Sequence, residues 1–138
     1  MRIGIVGYSS GKFDEEKAKI LLQIGFDYLE TISEFDELEV VSGLTNVGIP
    51  GLAYEIAASM GVRTVGIACS KAGEYPCFPV DEEIIVGSEW GDESETFIDY
   101  IDCLIRVGGG EQSLKEVSSF RKKKPQAPII EMELPRED

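Results

Sequence analysis

Ser113 and Glu116 stand one helical turn apart, just beyond three consecutive glycines, Gly108, Gly109 and Gly110, from which Glu111 and Gln112 separate them. The hydroxyl and Gln112 beside it can hydrogen-bond a phosphate, and the carboxylate lies one turn further on. The elements that must position them are legible on either side. Cys103–Val107 is apolar enough for a strand, and Gln112 to Phe120 reads as a helix. Strand, glycine turn and helix start together aim unpaired backbone N–H groups and a partial positive charge at an anion. The same residues also describe a tight strand-to-helix turn without a ligand.

Two more loops carry similar chemistry. Gly7, Ser9, Ser10 and Lys12 follow an apolar segment, Arg2 to Tyr8. They do not make a P-loop. Three residues rather than four separate Gly7 from the Gly-Lys pair, and Phe13 stands where Ser or Thr is required. Ser9, Ser10 and Lys12 can still touch a phosphate, or form a plain turn. Gly43, Thr45 and Asn46 follow a second apolar run and suit a base, a sugar, a phosphate or a local cap.

The stretch from Gly87 to Ser94 places Trp90 among small and acidic residues. An indole there suits stacking on a base or anchoring an interface. Asp92 and Glu93 are candidate catalytic carboxylates, as a general base or as ligands of a divalent metal ion. Asp92 with Glu95 also has the spacing of a capping box. No other metal or cofactor is indicated.

Composition narrows the partners. The 138 residues carry a net charge of -13, with 26 acidic against 13 basic residues. Nucleic acid and anionic membrane are therefore not expected partners. The one dense basic cluster, Arg121 to Lys124, suits a helix C-terminus. There is no histidine, which excludes a Ser-His-Asp triad within the chain and a histidine-ligated zinc. Cys69, Cys77 and Cys103 show no metal-ligand spacing. With no leader and no apolar run of membrane length read in the sequence, a cytoplasmic location is expected.

In chain order, apolar strands at Arg2 to Tyr8, Leu38 to Val41, Arg63–Ala68, Glu83 to Val86, Cys103–Val107 and Ala127 to Met132 alternate with helical patterns. The first helix starts near Asp14, with Lys17, Ile20, Leu21, Ile24, Tyr28, Ile32 and Phe35 recurring at helical steps and Gly25 as a point where it can divide. Gly51 to Met60 is the second, behind Pro50, and Asp92 to Ile101 the third. Pro135 onward reads as a tail. The expected architecture is a single α/β domain over residues 1–138. Its three layers are a mostly parallel, Rossmann-like sheet of about five to six strands with helices on both faces. Loops after the first, second and fifth strands then open on one side and share a crevice.

VGGGEQSLKE, Val107 to Glu116, resembles the Pro-Gly-Gly-x-Gly-Thr-x-x-Glu signature of the superfamily abbreviated SLOG. That Rossmann-like group holds the LOG phosphoribohydrolases (often labelled lysine decarboxylases), molybdenum-cofactor carrier proteins and the DNA-processing protein DprA. VGYSSGK, Val6 to Lys12, resembles its first-strand loop, and Val40 to Ala57 its second-strand loop and following helix. The resemblance implies a nucleotide-binding domain, with Glu116 matching the closing glutamate that in the phosphoribohydrolases helps polarise the ribose or hold the transition state. The chain departs from the pattern at Gln112-Ser113, where the group has Gly-Thr. It also lacks the upstream Arg-Lys pair, having Trp90, Gly91, Asp92 and Glu93 instead.

The leading expectation is binding of a nucleotide or nucleotide-like phosphorylated small molecule. A phosphoribohydrolase-like hydrolase centred on Glu116 is the alternative, and a carrier or structural role without turnover is a third. The resemblance, with apolar Phe26, Tyr28, Ile32 and Phe35 in excess of one face, points to a homodimer or higher homo-oligomer.

Overall fold

Six short β-branched and apolar runs become β1 (Arg2–Gly7), β2 (Glu39–Ser42), β3 (Arg63–Ala68), β4 (Glu82–Ile85), β5 (Cys103–Val107) and β6 (Ile129–Met132). In the computed structural model, which describes residues 1–33 and 37–137, they form one sheet in the order β4-β3-β2-β1-β5-β6. All five pairings are parallel. Between them run α1 (Glu15–Ile32), α2 (Gly48–Ser59), α3 (Ser94–Tyr100) and α4 (Glu111–Lys123), with a 3-10 turn at Ser70–Glu74. The expected three-layer, Rossmann-like architecture is the one observed.

Alternation along the strands fixes the two faces. Ile3, Ile5, Cys103, Ile105 and Val107 pack beneath α1 and α2 with Leu22, Phe26 and Leu29. Val6, Val41, Val65, Ile67 and Leu104 face α3 and α4 with Phe97, Ile101, Val117 and Phe120. From β1 the chain steps outward through β2, β3 and β4, then returns to β5 on the other side of β1. The order therefore reverses between β1 and β5. Ligands in open parallel sheets bind beyond the carboxyl ends of strands at such a point.

Helix α1 corrects the expected periodicity. It is continuous over 18 residues, capped by Asp14, whose carboxylate accepts from the Lys17 N–H at 3.1 Å. Gly25 does not divide it. A methyl group there would lie 2.9 Å from Ile105 Cδ1, so glycine lets the helix approach the sheet closely. The inward face is Ala18, Leu22, Gly25, Phe26 and Leu29, whereas Ile20, Ile24, Tyr28 and Ile32 point outward. The helix has two apolar stripes, and the one with small residues wins the sheet because it seats more closely. Phe35 lies outside the described residues.

The basic cluster serves the end of α4. Lys123 reaches Asp99 at 2.9 Å and Glu95 at 3.3 Å, and Arg121 reaches Glu131 at 3.4 Å. Lys124 donates to the Asp99 and Ile101 carbonyls, tying α4 to α3. Among the described residues no helix is long and apolar enough to cross a membrane.

Candidate functional site

The loops that leave β1, β2, β3, β4 and β5 bound a cleft of about 580 Å³ at the reversal point. Its floor begins at Gly7, the last residue of β1, in register with Val107. A side chain at Gly7 would drive into the Val107 carbonyl and Ile49. Gly109, at φ +101°, brings the turn within van der Waals reach of Gly7 and is overlaid by the Ser113 side chain. Ser113 Oγ then donates to the Gly7 carbonyl at 3.3 Å. These contacts set the start of α4 against the end of β1. Gly108 and Gly109 thus shape the turn from behind, while Gly110, Gln112 and Ser113 line the cleft. The helix begins after Gly110, which has no side chain to cap it, and its first-turn residues Glu111, Gln112 and Ser113 border the cleft.

The β2 loop is braced from below by Tyr54, which is fully buried. Its hydroxyl accepts from the Ser42 and Leu44 N–H groups at 3.1 and 3.2 Å and donates to the Val65 carbonyl at 2.9 Å. Burial raises its pKa well above the ordinary phenol value. This brace holds Leu44 at φ 77°, a conformation a branched side chain rarely adopts. Gly43 and Thr45 line the cleft. Asn46 does not: its side chain lies over Gly51, and its N–H donates to the Pro76 carbonyl at 2.8 Å.

Glu116 lines the inner wall. Burial, with Glu93 nearby, pushes its carboxyl up to about 7, while a hydrogen bond from Gln112 pulls the other way. Near neutral pH it can therefore either donate or accept a proton. Glu93 also lines the cleft, and its carboxylate accepts from the Gly91 N–H at 3.1 Å. Asp92 is set apart. One of its oxygens accepts from the Ser88 and Glu89 N–H groups, each at 3.0 Å, closing the turn that carries Trp90. This corrects the capping-box reading. Helix α3 starts at Ser94 after Glu93, with no side-chain cap, because the nearer amides of the turn hold Asp92. Among the described residues no three acidic or cysteine side chains converge as a metal site.

Ser9, Ser10 and Trp90 sit at the rim. Trp90 is 53% exposed and meets Tyr75 with ring centroids 5.8 Å apart, tilted by 59°. Lys12 stands in a separate hollow beside Phe13. The sequence reading missed Tyr8, Tyr75 and Arg136, all of which line the cleft. Arg136 was the one basic residue after Lys124, and that isolation in an acidic stretch was the available signal.

Comparison with solved structures places this geometry among known folds. The molybdenum cofactor binding protein of the phototrophic bacterium Rippkaea orientalis matches over 99% of this chain and 77% of its own, with 26% identity and a TM-score of 0.73. The molybdenum cofactor carrier protein of Chlamydomonas reinhardtii matches over 94% and 74%, with 21% identity and a TM-score of 0.71. A second structure of that carrier matches over 97% and 77%, with 21% identity and a TM-score of 0.67. The chain shares their fold. No family model matches the sequence, and no curated protein matches it.

Proposed function

We propose that the cleft binds a phosphorylated small molecule, a nucleotide or a nucleotide-like compound, with its phosphate against Ser9, Ser10 and the first turn of α4. The observation that carries this reading is the convergence at the β1–β5 reversal of an uncapped helix start with a hydroxyl-bearing loop. The exposed Trp90–Tyr75 pair at the rim offers a surface on which a ring system can stack. The Rippkaea orientalis and Chlamydomonas reinhardtii proteins that share the fold bind or carry the molybdenum cofactor, which joins the nucleotides as candidate cargo. Native mass spectrometry of protein purified without added ligand tests this. A bound phosphorylated species supports the reading. No bound species, together with no thermal shift across nucleotides and molybdenum cofactor, sinks it.

Glu116 favours one second reading, hydrolysis of a nucleotide or related phosphoribosyl compound. A carboxyl with a pKa of about 7 inside the cleft suits acid–base work at neutral pH. Glu116→Gln that keeps binding but abolishes release of free base supports turnover. Release unchanged by the substitution refutes it.

We also infer that two copies pair through the outward stripe of α1, where Ile20 and Ile24 are 60% and 55% exposed and continue through Tyr28 to Ile32.

A further inference from the structure

The segment that follows β6 is fastened beside the turn after β5 and the loop after β1, and its Arg136 lines the cleft. Arg106, buried between β1 and β6, donates to Glu131 at 3.1 Å, to Glu133 and to the Gly108 carbonyl at 2.8 Å. Leu134 is buried in the core beneath α1 and α2, and its carbonyl packs against Gly108. The Glu137 N–H donates to the Lys12 carbonyl at 2.8 Å. Between these anchors stands Arg136, its guanidinium carbon 5.8 Å from the centre of the Tyr8 ring and against Gly11.

The charges lining the cleft give this position its meaning. Glu93, Glu111 and Glu116 contribute carboxylates, and among the described lining residues Arg136 contributes the only cation. An anionic ligand entering between those carboxylates needs an opposing charge. Helix N–H groups alone provide a partial one. A guanidinium offers a planar fork that fits phosphate oxygens in pairs.

We propose that Arg136 is a ligand-binding residue: the strap from Glu133 to Glu137 delivers its guanidinium to the phosphate of the molecule held in the cleft. The inference rests on the binding reading above and names the group that makes the site selective for a phosphorylated form.

Isothermal titration of the 5′-monophosphates of the four common ribonucleosides, the corresponding nucleosides, and pyrophosphate separates the two claims. The proteins are wild type, Arg136→Gln and Arg136→Lys. The ligand-free melting temperatures of the three, measured alongside, separate any loss of fold from a loss of affinity. The expected result is that Arg136→Gln loses monophosphate affinity by on the order of tenfold or more, that Arg136→Lys falls between, and that nucleoside affinity does not change. Equal monophosphate affinity in wild type and Arg136→Gln overturns the role of Arg136 and leaves the cleft as a binding site. Pyrophosphate binding that depends on Arg136, without any nucleotide binding, supports the cation and overturns the nucleotide. Wild type that binds none of these probes, and shows no thermal shift with molybdenum cofactor, overturns both.

Discussion

The Ser113 hydroxyl donates to the Gly7 carbonyl across 3.3 Å, joining residues 106 positions apart at the point where the sheet order reverses. A carbonyl at the end of a strand otherwise needs water or a ligand. Satisfying it with the first turn of α4 fixes how the helix start addresses the cleft.

Ser113→Ala removes that bond from a buried position. The expected cost is about 1 kcal/mol in urea unfolding, with weaker phosphate binding because the helix start loses its tether. A stability loss with unchanged affinity would confine Ser113 to structure.

Glu116 makes stability depend on pH in a stated direction. Its folded pKa of about 7 lies above the ordinary 4.5, so the unfolded chain releases this proton first. The favourable contribution is complete below about pH 4.5 and is lost as pH rises through 7. Glu116→Gln should therefore be more stable than wild type at pH 8, by on the order of 2–3 kcal/mol, and nearly equal to it at pH 4. Denaturation at both values measures this; a pH-independent difference contradicts the raised pKa.

Tyr54→Phe should be among the more damaging conservative changes. It strips a partner from the Ser42 and Leu44 N–H groups and from the Val65 carbonyl in a buried position. A loss of about 2–3 kcal/mol is expected. Backbone amide exchange should quicken at Leu44, whose positive φ the hydroxyl holds in place.

Arg106→Leu should loosen the strap rather than the whole sheet. Glu133 is 82% exposed and regains water, while the Gly108 carbonyl loses its donor. The expected destabilisation is on the order of 2 kcal/mol. Arg136-dependent monophosphate affinity should fall with it.

For the α1 stripe, Ile24→Glu tests pairing. Sedimentation at micromolar concentration should give a dimer for wild type and a monomer for the variant, with the same melting profile in dilute solution. A monomeric wild type refutes the interface.

The fold was legible because its signals are local. Six apolar runs separated by helical patterns specify strands buried on both faces, and glycines with hydroxyls mark the loops at their carboxyl ends. The face of α1 was not legible. Ile20, Ile24, Tyr28 and Ile32 satisfy the helical period as well as Leu22, Phe26 and Leu29 do, and only contact with Ile105 at Gly25 selects the second set. Asp92 was misread for a similar reason, since one carboxylate had two sets of amides within reach and the tight turn at Gly87 was nearer.

By itself the sequence determined the α/β layering, the glycine turn before α4 and the acidic, histidine-free chemistry. These follow from residue type and spacing along the chain. Tertiary structure alone decided that Gly108 and Gly109 stand behind the wall, that Glu116 titrates near neutrality, and that Arg136 returns to the first loop. Those outcomes depend on burial and on approach between residues far apart in sequence, and spacing along a chain carries no measure of either.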